Sequence, residues 1–338
     1  PGGSAQYALA ISNFDEEEVQ RFNFGFIASS DNHRARPGTG YKEIDRFVTT
    51  EANGATNPDI SELLFPMEEP VAETLFIAPG DLLNQRMGFD IFEAERQASF
   101  FTTGGLAAVH SSGRDRQSIW DGMRRKETYG TSGDRILLWF DLVRDDGTIP
   151  MGGEITQSKN PTFGVKALGA FEQKPGCPDY SSTQLSQEDI KGICKNECYN
   201  PSDVRKKISR IEVIKITPQM YAGENVNNLI QDVWQSFECP MKGEGCSITF
   251  TDESFESSAR DASYYVRAIQ EPSATINANN LRCTYNESGE CEKVNICHGD
   301  FKTPQEDDCL STSEERAWSS PIFVNYDAKS LAVAALIK

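Results

Sequence analysis

Phe22-Asn23-Phe24-Gly25-Phe26-Ile27-Ala28-Ser29-Ser30 is a compact apolar run that ends abruptly on Asp31-Asn32-His33. With no polar alternation, the run reads as a strand buried on both faces, the kind that helices cover in parallel sheets. Its end matters as much as its body. Parallel α/β sheets and barrels build their active sites at the C-terminal ends of strands, so a carboxylate and an imidazole one residue apart are well placed there to converge on a metal ion. Asp31 supplies a hard oxygen and neutral His33 a nitrogen, a mixture that suits Zn, Mn or Fe rather than Ca. The competing reading makes Asp31 the cap of a turn and His33 an ordinary loop residue. With only three histidines in the chain, one placed directly after a buried run favours the ligand.

Outward from that run, residues 5 to 20 predict a short helix, with Tyr7, Leu9, Ile11 and Val19 among acids. From Arg34 to about Arg96 the text is rich in Gly, Pro, Asn and acids, an excursion of the length used by lids and insertions. Gly104 to His110 predicts a second buried strand, and about Asp115 to Arg125 a helix with Ile119, Trp120 and Met123 facing inward. Arg135 to Asp141 predicts a further apolar strand. Residues 1 to 147 thus take the form of an α/β unit, of which this chain holds the C-terminal part. His110 closes the second strand, where it is a candidate catalytic acid, base or hydrogen-bond donor, although no partner set surrounds it in sequence. Lys126 to Gly133 reads as a donor-rich turn between helix and strand, explained as well by turn chemistry as by anion binding.

After Asp145-Asp146-Gly147 the pattern changes. Short β segments are predicted at Phe163 to Gly169, Ile208 to Ile216, Ser247 to Thr251, Tyr264 to Gln270 and Ile322 to Tyr326, without a convincing long helix between them. Residues 148 to 338 therefore read as a β-sandwich-like accessory region. All nine cysteines fall there, from Cys177 to Cys309, which points to disulfides stapling a loop-rich region in an oxidising compartment, hence a periplasmic or extracellular protein. Zinc is the rival reading, on Cys194-Lys195-Asn196-Glu197-Cys198 and Cys297-His298, but no second close pair of suitable spacing completes a tetrahedral set. An odd count leaves one cysteine over. His298 reads as a surface residue and Asn286-Glu287-Ser288 as a glycan acceptor pattern common by chance.

Fifty-one acidic against 33 basic residues give a formal charge of -18, which repels a phosphate backbone and argues against nucleic acid as a partner. The apolar stretch Leu331 to Ile337 is far shorter than the roughly 20 residues of a membrane span. Neither a serine elbow, a phosphate-binding loop, a dinucleotide fingerprint nor a kinase motif set occurs.

Phe24 to His33 resembles the last metal-binding motif of the polymerase and histidinol phosphatase (PHP) superfamily. Gly104 to Val109, Ile119 to Gly133, Tyr264 to Pro272 and Glu315 to Ile322 are similar to the C-terminal region of an exported bacterial branch of it, domain-of-unknown-function family 3604. The resemblance implies a distorted β/α barrel, two or three divalent metal ions, and water activated for hydrolysis of a small-molecule ester or phosphoester. In that setting Asp31 and His33 match the final D-x-H ligands. Because no H-x-H precedes Asp31, the resemblance also implies that the other ligands lie in an N-terminal part of the same protein. The reading from a different class is a non-catalytic extracellular module that binds a glycan or another ligand.

Overall fold

A computed structural model describes residues 4–29, 42–49, 59, 105–240, 243, 245–276, 282–297 and 303–328. Twelve strands make its two main sheets. They are β1 (Leu106–Val109), β2 (Thr128–Thr131), β3 (Leu137–Arg144), β4 (Gly147–Pro150), β5 (Glu154–Gln157), β6 (Thr162–Leu168), β7 (Ile208–Ile216), β8 (Ile230–Glu238), β9 (Cys246–Thr251), β10 (Ala262–Gln270), β11 (Arg316–Ser319) and β12 (Ile322–Tyr326). The larger sheet runs β8-β7-β10-β11-β2-β1, with β12 pairing both β10 and β5; the smaller runs β9-β6-β3-β4. Within these sheets every pairing is antiparallel except β12 with β5.

Alternation decides how the sheets meet. Along β3, Leu138, Phe140 and Leu142 are buried while Leu137, Trp139 and Asp141 are only partly so, the signature of a strand with one face in a core. Those residues, with Phe163 and Val165 of β6 and Phe250 of β9, pack against Ile211, Val213, Tyr264, Val266, Ala268, Ile322 and Val324 of the larger sheet. Phe163 is the hinge of this core, with its ring centroid 4.7 Å from Tyr264, 5.4 Å from Phe140 and 5.2 Å from Phe250. Burying such a ring stabilises the fold by about 1.5–3 kcal/mol.

The far face of the larger sheet is covered as well. Ile214, Ile216, Tyr265 and Phe323 meet Leu9 and Ala10 of helix α1 (Ala5–Ala10), and Phe24 and Phe26 join them. Every residue of β10 except Arg267 is therefore buried, which is why its sequence shows no alternation.

Several expectations are corrected here. Among the described residues no barrel closes, and the strands near residues 106–131 pair antiparallel with each other and with β11 rather than forming a parallel β/α tail. The fold is mixed α/β, mostly strands with few helices. Phe22 to Ser29 is not a strand: strand pairing stops at Arg21, and Phe22 and Ile27 are exposed, the latter by 64%. The run is apolar because alternate residues lie against a sheet face. The N-terminal helix ends at Ala10, where Ile11 turns extended, the Ala10 carbonyl accepts from the Gln219 amide, and Ser12 and Asn13 pair with Arg21 and Gln20. Lys126 to Gly133 contains the buried strand β2 instead of an open turn. After the single-turn helix α2 (Arg46–Thr49), helix α3 (Arg116–Arg124), capped by Asp115, lies where predicted, but Trp120 is 55% exposed and Met123 43%; only Gly122 is buried.

The β segments predicted after residue 147 all exist, two of them (β7, β12) with the predicted bounds. Asp145 and Asp146 form the tight turn between β3 and β4. The disulfides are Cys177–Cys198, Cys239–Cys246, Cys283–Cys291 and Cys297–Cys309, which leaves Cys194 unbonded. Cys239–Cys246 joins the end of β8 to the start of β9 and so links the two sheets. No helix among the described residues is long and apolar enough to cross a membrane.

Candidate functional site

Glycines build the approach to Asp31 and His33. The strap formed by residues 22–29 crosses the sheet beside β2 and β1, and a side chain would collide at three points, two on the neighbouring backbone and one, Gly25, on the strap itself. A Cβ on Gly130 would lie 2.7 Å from the Cβ of Ala28, and one on Gly105 2.7 Å from the carbonyl oxygen of Ser29. One on Gly25 would lie 2.9 Å from both Lys126 Cβ and Ser320 Oγ. Ser320 Oγ accepts a 2.8 Å hydrogen bond from the Phe26 amide, and the Phe26 ring stands edge-on to Tyr265 at 5.3 Å. The strap is thus held at Gly25, Phe26, Ala28 and Ser29, while Ile27 between them is exposed. Asp31 and His33 themselves lie outside the described residues.

Replacing Gly130 by Val pushes the strap away. The expected cost is about 1–3 kcal/mol of overpacking, with faster chymotryptic cleavage after Phe24 and Phe26. Adding Ala28→Gly removes the Cβ that Gly130→Val meets and recovers part of the loss; a Gly130→Val chain that is as stable and as slowly cleaved as the parent would show that the strap is not clamped there.

His110 sits at the other end of β1 from Gly105. Its amide donates to the Glu127 carbonyl at 2.8 Å, and Gly122 of α3 packs against its own carbonyl, where a Cβ would come within 2.5 Å. The ring lies between Tyr129 and Trp139, with centroids at 5.6 and 5.9 Å. Nε2 is 2.8 Å from the carbonyl oxygen of Leu138. A carbonyl only accepts, so Nε2 donates its N–H in that contact. Five residue steps along β1, about 17 Å at 3.4 Å each, separate His110 from Gly105, so the structure does not gather His110 and the end of the strap at one point.

What surrounds His110 instead is the outer face of the smaller sheet. Trp139 stands opposite Lys166, whose ammonium is 5.4 Å from the indole centroid, and Asp141 stands opposite Gly164. Burial raises the Asp141 pKa, and the nearby His110 acts against that rise. An indole, an ammonium, a carboxylate and an imidazole therefore share one sheet face. Sequence reading missed this group because Trp139, Asp141 and Lys166 lie inside apparent core strands; the signal was the two-residue spacing of Trp139 and Asp141 on one face of β3, opposite Lys166 of β6.

The donor sets for a metal are few. Among the described residues, three ligand atoms come within 4.8 Å of one another at Cys177, Cys194 and Cys198, and at Cys297, Asp307 and Cys309. Each set contains a disulfide, neither contains an imidazole, and only Asp307 brings a carboxylate, so neither matches the donors of a hydrolytic Zn, Mn or Fe centre. The described residues do not by themselves fit such an ion. The same disulfides dispose of zinc on Cys198 or Cys297 as the reason for those cysteines.

A family model described as Protein of unknown function (DUF3604) matches residues 9–326. The chain belongs to that family. The match begins in α1 and ends in β12, so the strap, the two sheets and the disulfide-linked loops all fall within one family pattern. It carries no link to the PHP superfamily. No curated protein and no solved structure matches the chain.

Proposed function

We infer that this chain is the C-terminal part of a metal-dependent hydrolase of PHP type, acting on phosphoesters or related esters in the periplasm or outside the cell. In this reading Asp31 and His33 are ligands to a divalent ion, with further ligands contributed by an N-terminal part of the same protein. The observation that carries it is the clamped strap. Gly25, Gly105 and Gly130, with the Ser320 hydroxyl and the Tyr265 ring, fix the backbone immediately before the D-x-H pair, and preorganisation of that kind is what a metal ligand pair requires. The four disulfides suit the proposed compartment.

The test is metal content by plasma mass spectrometry on full-length protein dialysed against trace zinc, manganese and iron. Two or more retained ions, at least one lost in His33→Ala together with about 100-fold or more of the p-nitrophenyl phosphate hydrolysis, is the expected result. Full-length protein that retains no ion sinks the reading.

A second reading is favoured by the outer face of the smaller sheet. Trp139 flanked by Lys166, Asp141 and His110 offers an aromatic platform with polar groups at its rim, the equipment of a glycan- or ligand-binding module without catalysis. Under it, Trp139→Ala abolishes retention on an immobilised glycan while metal content is unchanged.

A further inference from the structure

The unbonded cysteine is not isolated. Cys194 ends helix α4 (Gln187–Cys194), and its sulfur lies within 4.8 Å of both sulfurs of the Cys177–Cys198 disulfide. Lys195 and Asn196 both take positive φ, 53° and 67°, and reverse the chain so that Cys198 returns beside Cys194. All three cysteines are half-buried, so the cluster is neither sealed in the core nor splayed on the surface. Glu197 and Gly176, the neighbours of the two bonded cysteines, are tied together as well. The Glu197 carboxylate accepts from the Gly176 amide at 2.9 Å and from Lys42 Nζ at 2.6 Å, and Lys42 Nζ also donates to the Gly176 carbonyl at 2.7 Å. Lys42 is fully buried there.

We propose that Cys177, Cys194 and Cys198 form a thiol–disulfide exchange site in which Cys194 is the attacking thiol and the disulfide migrates among the three. The Cys194 thiolate attacks Cys198 Sγ; the Cys194–Cys198 bond forms, the Cys177–Cys198 bond breaks, and Cys177 leaves as a thiolate that takes up the proton Cys194 released. Attack on Cys177 Sγ gives Cys177–Cys194 and frees Cys198 in the same way. One disulfide and one thiol are present before and after, so the step needs no oxidant or reductant. Exchange alters which strands of the loop are covalently joined, and with it the Glu197–Gly176 pocket that receives Lys42. Residues 42–49 also insert Arg46 against the carbonyls of Thr303, Pro304 and Asp307, so the loop holding Lys42 helps to seat a segment that reaches across to the 303–307 turn. The odd cysteine count follows directly: three sulfurs serve one disulfide. This site is separate from the proposed hydrolase and does not depend on it.

Thiol titration of the intact chain and its variants tests the proposal. The parent carries one thiol. Cys177→Ser and Cys198→Ser are each expected to carry none, because Cys194 takes the vacated place and peptide mapping under non-reducing conditions finds Cys194–Cys198 or Cys177–Cys194. Two thiols in either variant overturn the proposal. Should the variants fail to fold, the parent decides: after incubation at pH 8, acid quench and maleimide labelling, label is expected on Cys177 and Cys198 as well as on Cys194, and label confined to Cys194 overturns it. Three thiols in the parent with a retained zinc ion also overturn it, in favour of a trithiolate metal site.

Discussion

Asp252→Ala is expected to cost about 3–5 kcal/mol of stability, read as a lower urea midpoint at unchanged slope, because it leaves a lysine ammonium buried without its counter-charge. Asp252 is fully buried in the turn after β9. Its Oδ2 is 2.6 Å from Lys215 Nζ of β7 and accepts from the Tyr264 hydroxyl of β10 at 2.6 Å, while Oδ1 accepts from the amide and hydroxyl of Ser254 at 2.9 and 2.6 Å. One carboxylate thus ties two strands of the larger sheet to the smaller sheet. Burial works to raise its pKa, and the hydrogen bonds from Lys215, Ser254 and Tyr264 together outweigh that and lower it. The Tyr264 hydroxyl is pushed well up by burial and by the Asp252 charge, so it stays a donor.

A loss on the order of 3–5 kcal/mol is large against the 5–15 kcal/mol that holds a typical domain. What the variant suffers is mainly the stranded charge: Lys215 keeps Ser254 Oγ at 3.0 Å and the rings of Trp234 and Tyr264 at 5.3 and 6.0 Å, none of them a counter-charge. Replacing both partners, Lys215→Met with Asp252→Leu, is therefore expected to recover most of the loss. If the double variant is no better than Asp252→Ala, the charge was not the cause and the turn geometry set by Ser254 was. The sign with pH follows from the lowered pKa. The contribution is fully present above the unfolded carboxylate's range and is lost as pH falls through the lower folded value, so the parent's advantage over Asp252→Ala shrinks in acid.

The strands of the two sheets were legible because each carries a buried face, and β7 and β12 could be bounded from their β-branched and aromatic runs alone. Their arrangement was not legible. Tyr264 to Gln270 reads as a sandwich strand, but Val266 on one face of β10 and Tyr265 on the other are both covered, and nothing in the strand itself tells that its antiparallel partners are β7, β11 and β12. The strap 22–29 misled for a related reason: Phe24 and Phe26 are apolar because they lie against a sheet face, which a segment crossing a sheet does as well as a strand within it. Lys215 and Asp252 were invisible as a pair, since 37 residues separate them and only the folding of one sheet onto the other brings them together. Cys194 was visible as the odd cysteine, but its place beside Cys177 and Cys198 depends on the turn that Lys195 and Asn196 make.

Glu315→Gln is expected to stabilise the protein at pH 8 by up to roughly 3 kcal/mol and to change it little at pH 4.5. Glu315 is 3% exposed, between β10 and β11, where it accepts from the Ser132 hydroxyl. Burial, and next the charge of Asp134, push its pKa up to about 7, against the pull of Ser132 and Lys206. Asp134 in turn binds Lys206 at 2.9 Å and the Gln270 amide, and Lys206 also reaches Glu43 at 3.0 Å. The ammonium already has two carboxylates, so a third negative charge beside Asp134 has no cation left to offset it. In the unfolded chain Glu315 titrates near its ordinary value of 4.5. Between that value and about 7 the folded chain holds a proton that the unfolded chain has released, so stability falls as pH rises through this window and is level above it. Glutamine keeps the shape and an acceptor for Ser132 but cannot ionise. Stability curves of parent and variant should therefore coincide in acid and diverge across the window, a pH dependence opposite in sign to that of Asp252. A difference that is the same at pH 4.5 and pH 8 would mean that Glu315 is charged in the folded protein throughout, and that its burial is compensated by Ser132 and Lys206.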